Sequence, residues 1–255
     1  MFLEIFIILS TIFFIGVWFY KQRRESIEIL QIEFSNSAAS LNELIQEQQP
    51  IVIRSAPFPQ SLTQAKLSQI PRLDSFPLGS HTLKEYRESP GILPSDGTPI
   101  LSPEASLTLT KELALDTWVN HSLREFVGEF TGFLNTIRTS IVLGGHGMKR
   151  PPALYTCIMP TEGVYTVSLV NKRSETFLPT AWVFKYPQSL TVNDTPLVGE
   201  IQFIDVVVRP GTVIAIPCHC IYSLQPKERS AFNAATIIEI HSPISALSAI
   251  ISKGS

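Results

Sequence analysis

The sequence predicts a mostly β fold with flanking helices: two packed antiparallel sheets in a jelly-roll arrangement, preceded by one apolar helix of membrane-spanning length. Three observations predict it. Residues 204–224 read IDVVVRPGTVIAIPCHCIYSL, where Val206–Val208 and Thr212–Ile216 are β-branched runs joined by Pro210-Gly211. Proline presets one dihedral of a tight reversal and glycine permits the positive one, so this is two strands and a turn. Second, Val164–Val170, Trp182–Tyr186, Ile201–Val208, Thr212–Ile216, Ile221–Leu224 and Ala231–Ile240 form six strand candidates with short connections, the spacing of a two-sheet all-β domain. Third, Phe2–Tyr20 is apolar apart from Glu4, Ser10 and Thr11.

The N-terminal run is just long enough to cross a hydrocarbon core of about 30 Å as a helix. It closes on Trp18 and Tyr20 and switches abruptly to Lys21-Gln22-Arg23-Arg24. No small-residue cleavage site follows, which predicts an uncleaved anchor, and the basic flank places the C-terminal domain on the cytoplasmic side. The expected organisation is therefore an anchor with basic flank over 1–24, a stalk over 25–39 and one domain over 40–255. The expected localisation is single-pass membrane, with the bilayer contacted through Phe2 to Tyr20.

Composition narrows the function. The charged fraction of 16% is low against the roughly 25% of an ordinary soluble protein, which suits contact with a membrane, a protein partner or further copies of the chain. A net charge of -2 without a basic stripe beyond Arg24 argues against nucleic-acid binding. The three cysteines, Cys157, Cys218 and Cys220, have no framework spacing, so a disulfide-stapled secreted domain is not expected.

Between the stalk and the strands the chain is mixed. Glu25–Phe34 reads as a stalk or a first strand, Ser40–Gln48 as a helix with Leu41, Leu44 and Ile45 on one face, and Ile51–Ile53 as a strand. Prolines at 57, 59, 71, 77, 90, 94, 99 and 103 exclude long helices and central strands, so 56–106 is expected to wrap over the sheets. Residues 107–137 form a helical insert with Leu113, Trp118, Leu123, Phe126 and Phe130 on an apolar face. Ser242 as N-cap and Pro243 at the first helical position predict a C-terminal helix over 243–252.

The spelling Pro-Gly-x-Val-Ile-x-Ile-Pro at 210–217, followed by an aromatic five residues on, resembles the second conserved block of the JmjC-like, or cupin-8, family. Gln49-Pro50-Ile51-Val52-Ile53-Arg54 resembles that family's PVVIRG strand, and Ile141-Val142-Leu143-Gly144-Gly145 its segment leading to an iron-binding His-x-Asp. The resemblance covers roughly Ser40–His241. It implies a double-stranded β-helix, and in the family an Fe(II) and 2-oxoglutarate oxygenase whose metal is held by two imidazoles and one carboxylate.

The ligand positions implied by the resemblance are empty of such groups. They fall on Leu154 and Thr156 when anchored on Pro152, or on Ile158 and Pro160 when counted from Asn171-Lys172-Arg173, and the last one falls on Tyr222. Possible substitutes are His146, Glu162 and His219, and Lys172 or Arg173 could correspond to the residue that holds the 2-oxoglutarate carboxylate. The expectation is a catalytically inactive, membrane-anchored cupin (JmjC-like) domain without a cofactor, working as a binding or structural module. The alternative is an Fe(II) and 2-oxoglutarate oxygenase with displaced ligands, and a third reading keeps the barrel mouth as a pocket for an apolar or anionic ligand.

Overall fold

A computed structural model describes residues 2–21, 27–36, 41, 43–45, 47–92, 94, 96–123, 126, 135–151, 153–218 and 220–243. Helix α1 covers Phe2–Lys21. The membrane expectation is corrected here: among the described residues no helix is long and apolar enough to cross a membrane. The single-pass localisation with a cytoplasmic C-terminal domain falls with it.

Among the described residues, twelve strands in three sheets make up the rest of the architecture, so the expected barrel-plus-anchor class is replaced by a sheet-rich fold with short helices. Strands β1 (Leu30–Glu33) and β2 (Ile51–Arg54) pair in parallel, which makes the largest sheet mixed. Residues 30–33 are thus a first strand rather than part of a stalk. Strands β3 (Pro77–Leu78) and β4 (His81–Thr82) form a small hairpin. Eight strands then follow: β5 (Thr136–Leu143), β6 (His146–Lys149), β7 (Tyr155–Glu162), β8 (Tyr165–Val170), β9 (Phe203–Val208), β10 (Thr212–Pro217), β11 (Tyr222–Pro226) and β12 (Ala234–His241). One sheet runs β1-β2-β10-β7-β12-β5 and the other β6-β11-β8-β9.

The space between these sheets holds Ile158, Tyr165, Val167, Leu169, Ile214, Ile216, Tyr222, Leu224 and Ile237, all buried. Successive side chains of a strand point to opposite faces, so the intervening residues of the six-stranded sheet form a second core. Tyr155, Cys157, Met159, Val213 and Ala215 meet Leu41, Val119 and Leu123 there. Further along the same face, Ile141 and Leu143 meet Leu62, Leu67, Leu83 and Leu109 from the proline-rich segment and the helices. The six-stranded sheet is therefore covered on both faces.

Short helices supply that cover: α2 (Gln64–Leu67), α3 (Leu83–Glu88), α4 (Pro103–Glu112) and α5 (Leu115–Ser122). Helix α3 begins at a capping box, in which the Thr82 hydroxyl accepts from the Glu85 amide while the Glu85 carboxylate accepts from the Thr82 amide. The helical insert expected to 137 stops earlier, because Thr136 and Ile137 already pair with β12. Trp182–Tyr186 is not a strand. Phe184 adopts φ 66°, yet its amide donates to the Met148 carbonyl at 2.9 Å and the Met148 amide donates to Lys185 at 2.7 Å. Two ladder-like bonds thus protect the free edge of β6, the stretch that carries His146. The expected C-terminal helix lies outside the described residues beyond Pro243.

Candidate functional site

The register of β6 against β11 places the site. Tyr222 lies opposite Lys149, and Leu224 lies opposite His146. All of these belong to the four-stranded sheet. The positions suggested for the first two metal ligands do not: Thr156, Ile158 and Pro160 lie on β7 in the facing sheet, with Leu154 just ahead of it. The strand beside Tyr222 that would carry partners for it is β6, and what it offers there is a lysine.

His146 is 2% exposed, and its ring stands edge-on to that of Tyr222 with centroids 5.2 Å apart. Its Nδ1 lies 2.7 Å from the Gly147 carbonyl oxygen. A carbonyl can only accept, so Nδ1 carries the proton and Nε2 is left as a bare lone pair in the neutral ring. That Nε2 is buried and has no hydrogen-bond partner. Burial, with the charge of Lys149 adding to it and the Gly147 carbonyl opposing, holds the imidazole well below its usual value of 6.5. The ring is therefore neutral near pH 7.

The amine of Lys149 stands 5.4 Å from the centre of the Tyr222 ring. No hydrogen bond or ion pair with a described residue ties it down. Burial lowers its pKa, partly offset by the negative charge of Glu239. Glu239 comes from β12, opposite Arg138 on β5 and Thr156 on β7. Burial pushes its carboxyl up, but the hydrogen bond to His241 and the charges of Lys149, His241 and Arg138 together hold it below the ordinary carboxylate value. Burial also raises the Tyr222 phenol, with Glu239 adding to the effect, so it stays protonated. The Tyr222 hydroxyl and the Thr156 hydroxyl are buried without a partner, like Nε2 of His146.

Arg138, Ser140, His146, Lys149, Phe184 and Glu239 line a cavity of about 300 Å³, whose lining does not include Tyr222 or Thr156. A larger groove of about 720 Å³ lies between β1 and β9, lined in part by Glu33, Arg54, Asp205 and Arg209. Those four side chains belong to exposed residues, so the groove lacks the unpartnered buried donors and acceptors that mark the smaller cavity.

Fe(II) does not fit the residues around Tyr222. The group beside it is an ammonium, which repels a dication, and a facial set requires two imidazoles and one carboxylate. Among the described residues no three His, Cys, Asp or Glu side chains gather as a metal would need. Of the suggested substitutes, Glu162 ends β7, where its carboxylate accepts from the Gln64 amide at 2.5 Å. His219 lies outside the described residues. Lys172 and Arg173 start the 3-10 turn after β8, away from the cavity lining. Lys149, Arg138 and Glu239 went unnoticed in the sequence, because the neighbours of each come from strands up to 101 residues away.

No protein-family model and no curated protein matches the chain.

Proposed function

We propose that the chain is a non-catalytic relative of the JmjC-like, cupin-8 family and works as a binding module, with the cavity beside His146 and Lys149 as its ligand site. The reading is supported first by strand order: four of β5 to β12 belong to each of the two large sheets, and successive strands change sheet at every step but β8 to β9. The observation that carries it is the trio Tyr222, Lys149 and His146. Where the resemblance implies a metal ligand stands a protonated phenol, and a lysine amine lies over its ring. A positive side chain in the space of a cation attracts an anion instead, and the unpartnered polar atoms beside it need a ligand to satisfy them.

Two measurements on the full chain test this. Protein reconstituted with Fe(II) should retain well under one equivalent of iron and should not convert 2-oxoglutarate to succinate. Ligand-observed NMR with short carboxylates should show saturation transfer that Lys149→Met removes. Stoichiometric iron with 2-oxoglutarate turnover would overturn the reading, and so would failure of every short carboxylate to bind.

A further inference from the structure

Resting on that binding reading, we propose that the cavity selects a short hydroxycarboxylate. Its carboxylate meets Lys149 with Arg138 at the mouth, and its hydroxyl donates to Nε2 of His146.

The argument turns on which atoms are donors and which are acceptors. Lys149 and Arg138 can only donate. Nε2 of His146 can only accept, because Nδ1 spends the ring's proton on the Gly147 carbonyl 2.7 Å away. A plain carboxylate satisfies the cations but brings nothing to Nε2. A keto acid brings one more acceptor, and its oxygen lone pairs would oppose that of Nε2. An amino acid brings a donor, but as an ammonium it would share the cavity with the Lys149 amine and the Arg138 guanidinium. A hydroxyl is the neutral donor that remains.

Charge and size agree with this choice. Arg138 and Lys149 give two positive groups against the one carboxylate of Glu239, which is engaged by His241 at 3.5 Å. The balance of one positive charge calls for a monoanion. Leu101, Val142, Phe184 and Ile237 supply apolar lining for a short carbon chain. A volume of about 300 Å³ lies at the small end of ligand cavities, which run from roughly 300 to 1,000 Å³.

The test is calorimetric titration of the full chain with butyrate and with 2-, 3- and 4-hydroxybutyrate, a series that varies the separation of hydroxyl and carboxylate at fixed chain length. At least one hydroxybutyrate should bind ten-fold or more tightly than butyrate. His146→Leu should abolish that difference, and Lys149→Met should weaken all four together. Butyrate binding as tightly as every hydroxy acid would overturn the hydroxyl contact and leave the binding reading standing. Absence of binding by all four would overturn both. The wild-type series decides the matter even if a variant does not fold.

Discussion

Replacing His146 with leucine should flatten the dependence of stability on pH, by an amount the surroundings of the ring set. The imidazole is 2% exposed, holds its proton on Nδ1 against the Gly147 carbonyl, and has a folded-state pKa well below 6.5. In the unfolded chain it titrates at about 6.5. Below that value the unfolded state binds a proton that the native state refuses, so unfolding gains protons and stability falls as pH falls. The stabilisation is complete above pH 6.5 and drains away below it at about 1.4 kcal/mol per pH unit until the folded pKa is reached. Between pH 7.5 and 5.0 this amounts to about 2 kcal/mol. Leucine removes the titration and leaves the Gly147 carbonyl without its donor, an offset of about 1–3 kcal/mol that does not vary with pH. Urea unfolding followed by tryptophan fluorescence, for wild type and variant at both pH values, isolates the slope from the offset. Wild type should lose about 2 kcal/mol more than the variant on acidification. Parallel losses in the two proteins would mean that the ring charges freely in the fold, and the tautomer on which the ligand argument depends would go with it.

Three further outcomes are expected. Tyr86→Phe should lower stability by about 2–4 kcal/mol in the same assay, since the buried Tyr86 hydroxyl donates to the Asn233 carbonyl at 2.9 Å and accepts from its amide at 3.2 Å; a loss under 1 kcal/mol would contradict both bonds. Gly147→Ala should cost at least about 3 kcal/mol, because a Cβ there would come within 1.9 Å of the Phe184 carbonyl oxygen. Its control, Gly199→Ala, meets nothing within 4 Å and should stay within about 0.5 kcal/mol of wild type by thermal unfolding. Cys157, fully buried and pushed up to about 12 by desolvation, should escape iodoacetamide at pH 8 in the native protein and react on unfolding, as read by peptide mass spectrometry; ready alkylation of the folded chain would place it at a surface.

By itself the sequence determined the local units whose signals are local. The β9-turn-β10 unit was legible because β-branched runs flank Pro210-Gly211, and Gly211 indeed takes φ 86°. The strands near 165–170 and 234–241 were legible for similar reasons of composition and turn spacing. Strand β7 was not. It is buried along Tyr155–Thr161 on both faces, so it shows no alternation, and it contains Pro160. That proline is tolerated because the register with β12 shifts there, Ala234 facing Glu162 and Ala235 facing Pro160. Strand β6 escaped notice because it is four residues long and derives its order from the backbone of 184–185 rather than from its own residues.

Tertiary structure decided the site. From the sequence, His146 was a lone histidine in a glycine-rich loop and Tyr222 a missing ligand; nothing within a few residues of either pointed to Lys149 as the group beside them. Three pairings did: β6 with β11, β12 with β5, and β12 with β7 bring positions 146, 149, 222, 239, 138 and 156 to one end of the inter-sheet space. The physical reason is that side-chain pattern records which face of a strand is wet, whereas strand order is chosen by long-range hydrogen bonding that leaves no local mark. What a residue is chemically was written in the chain, and what it stands next to was settled when the sheets closed.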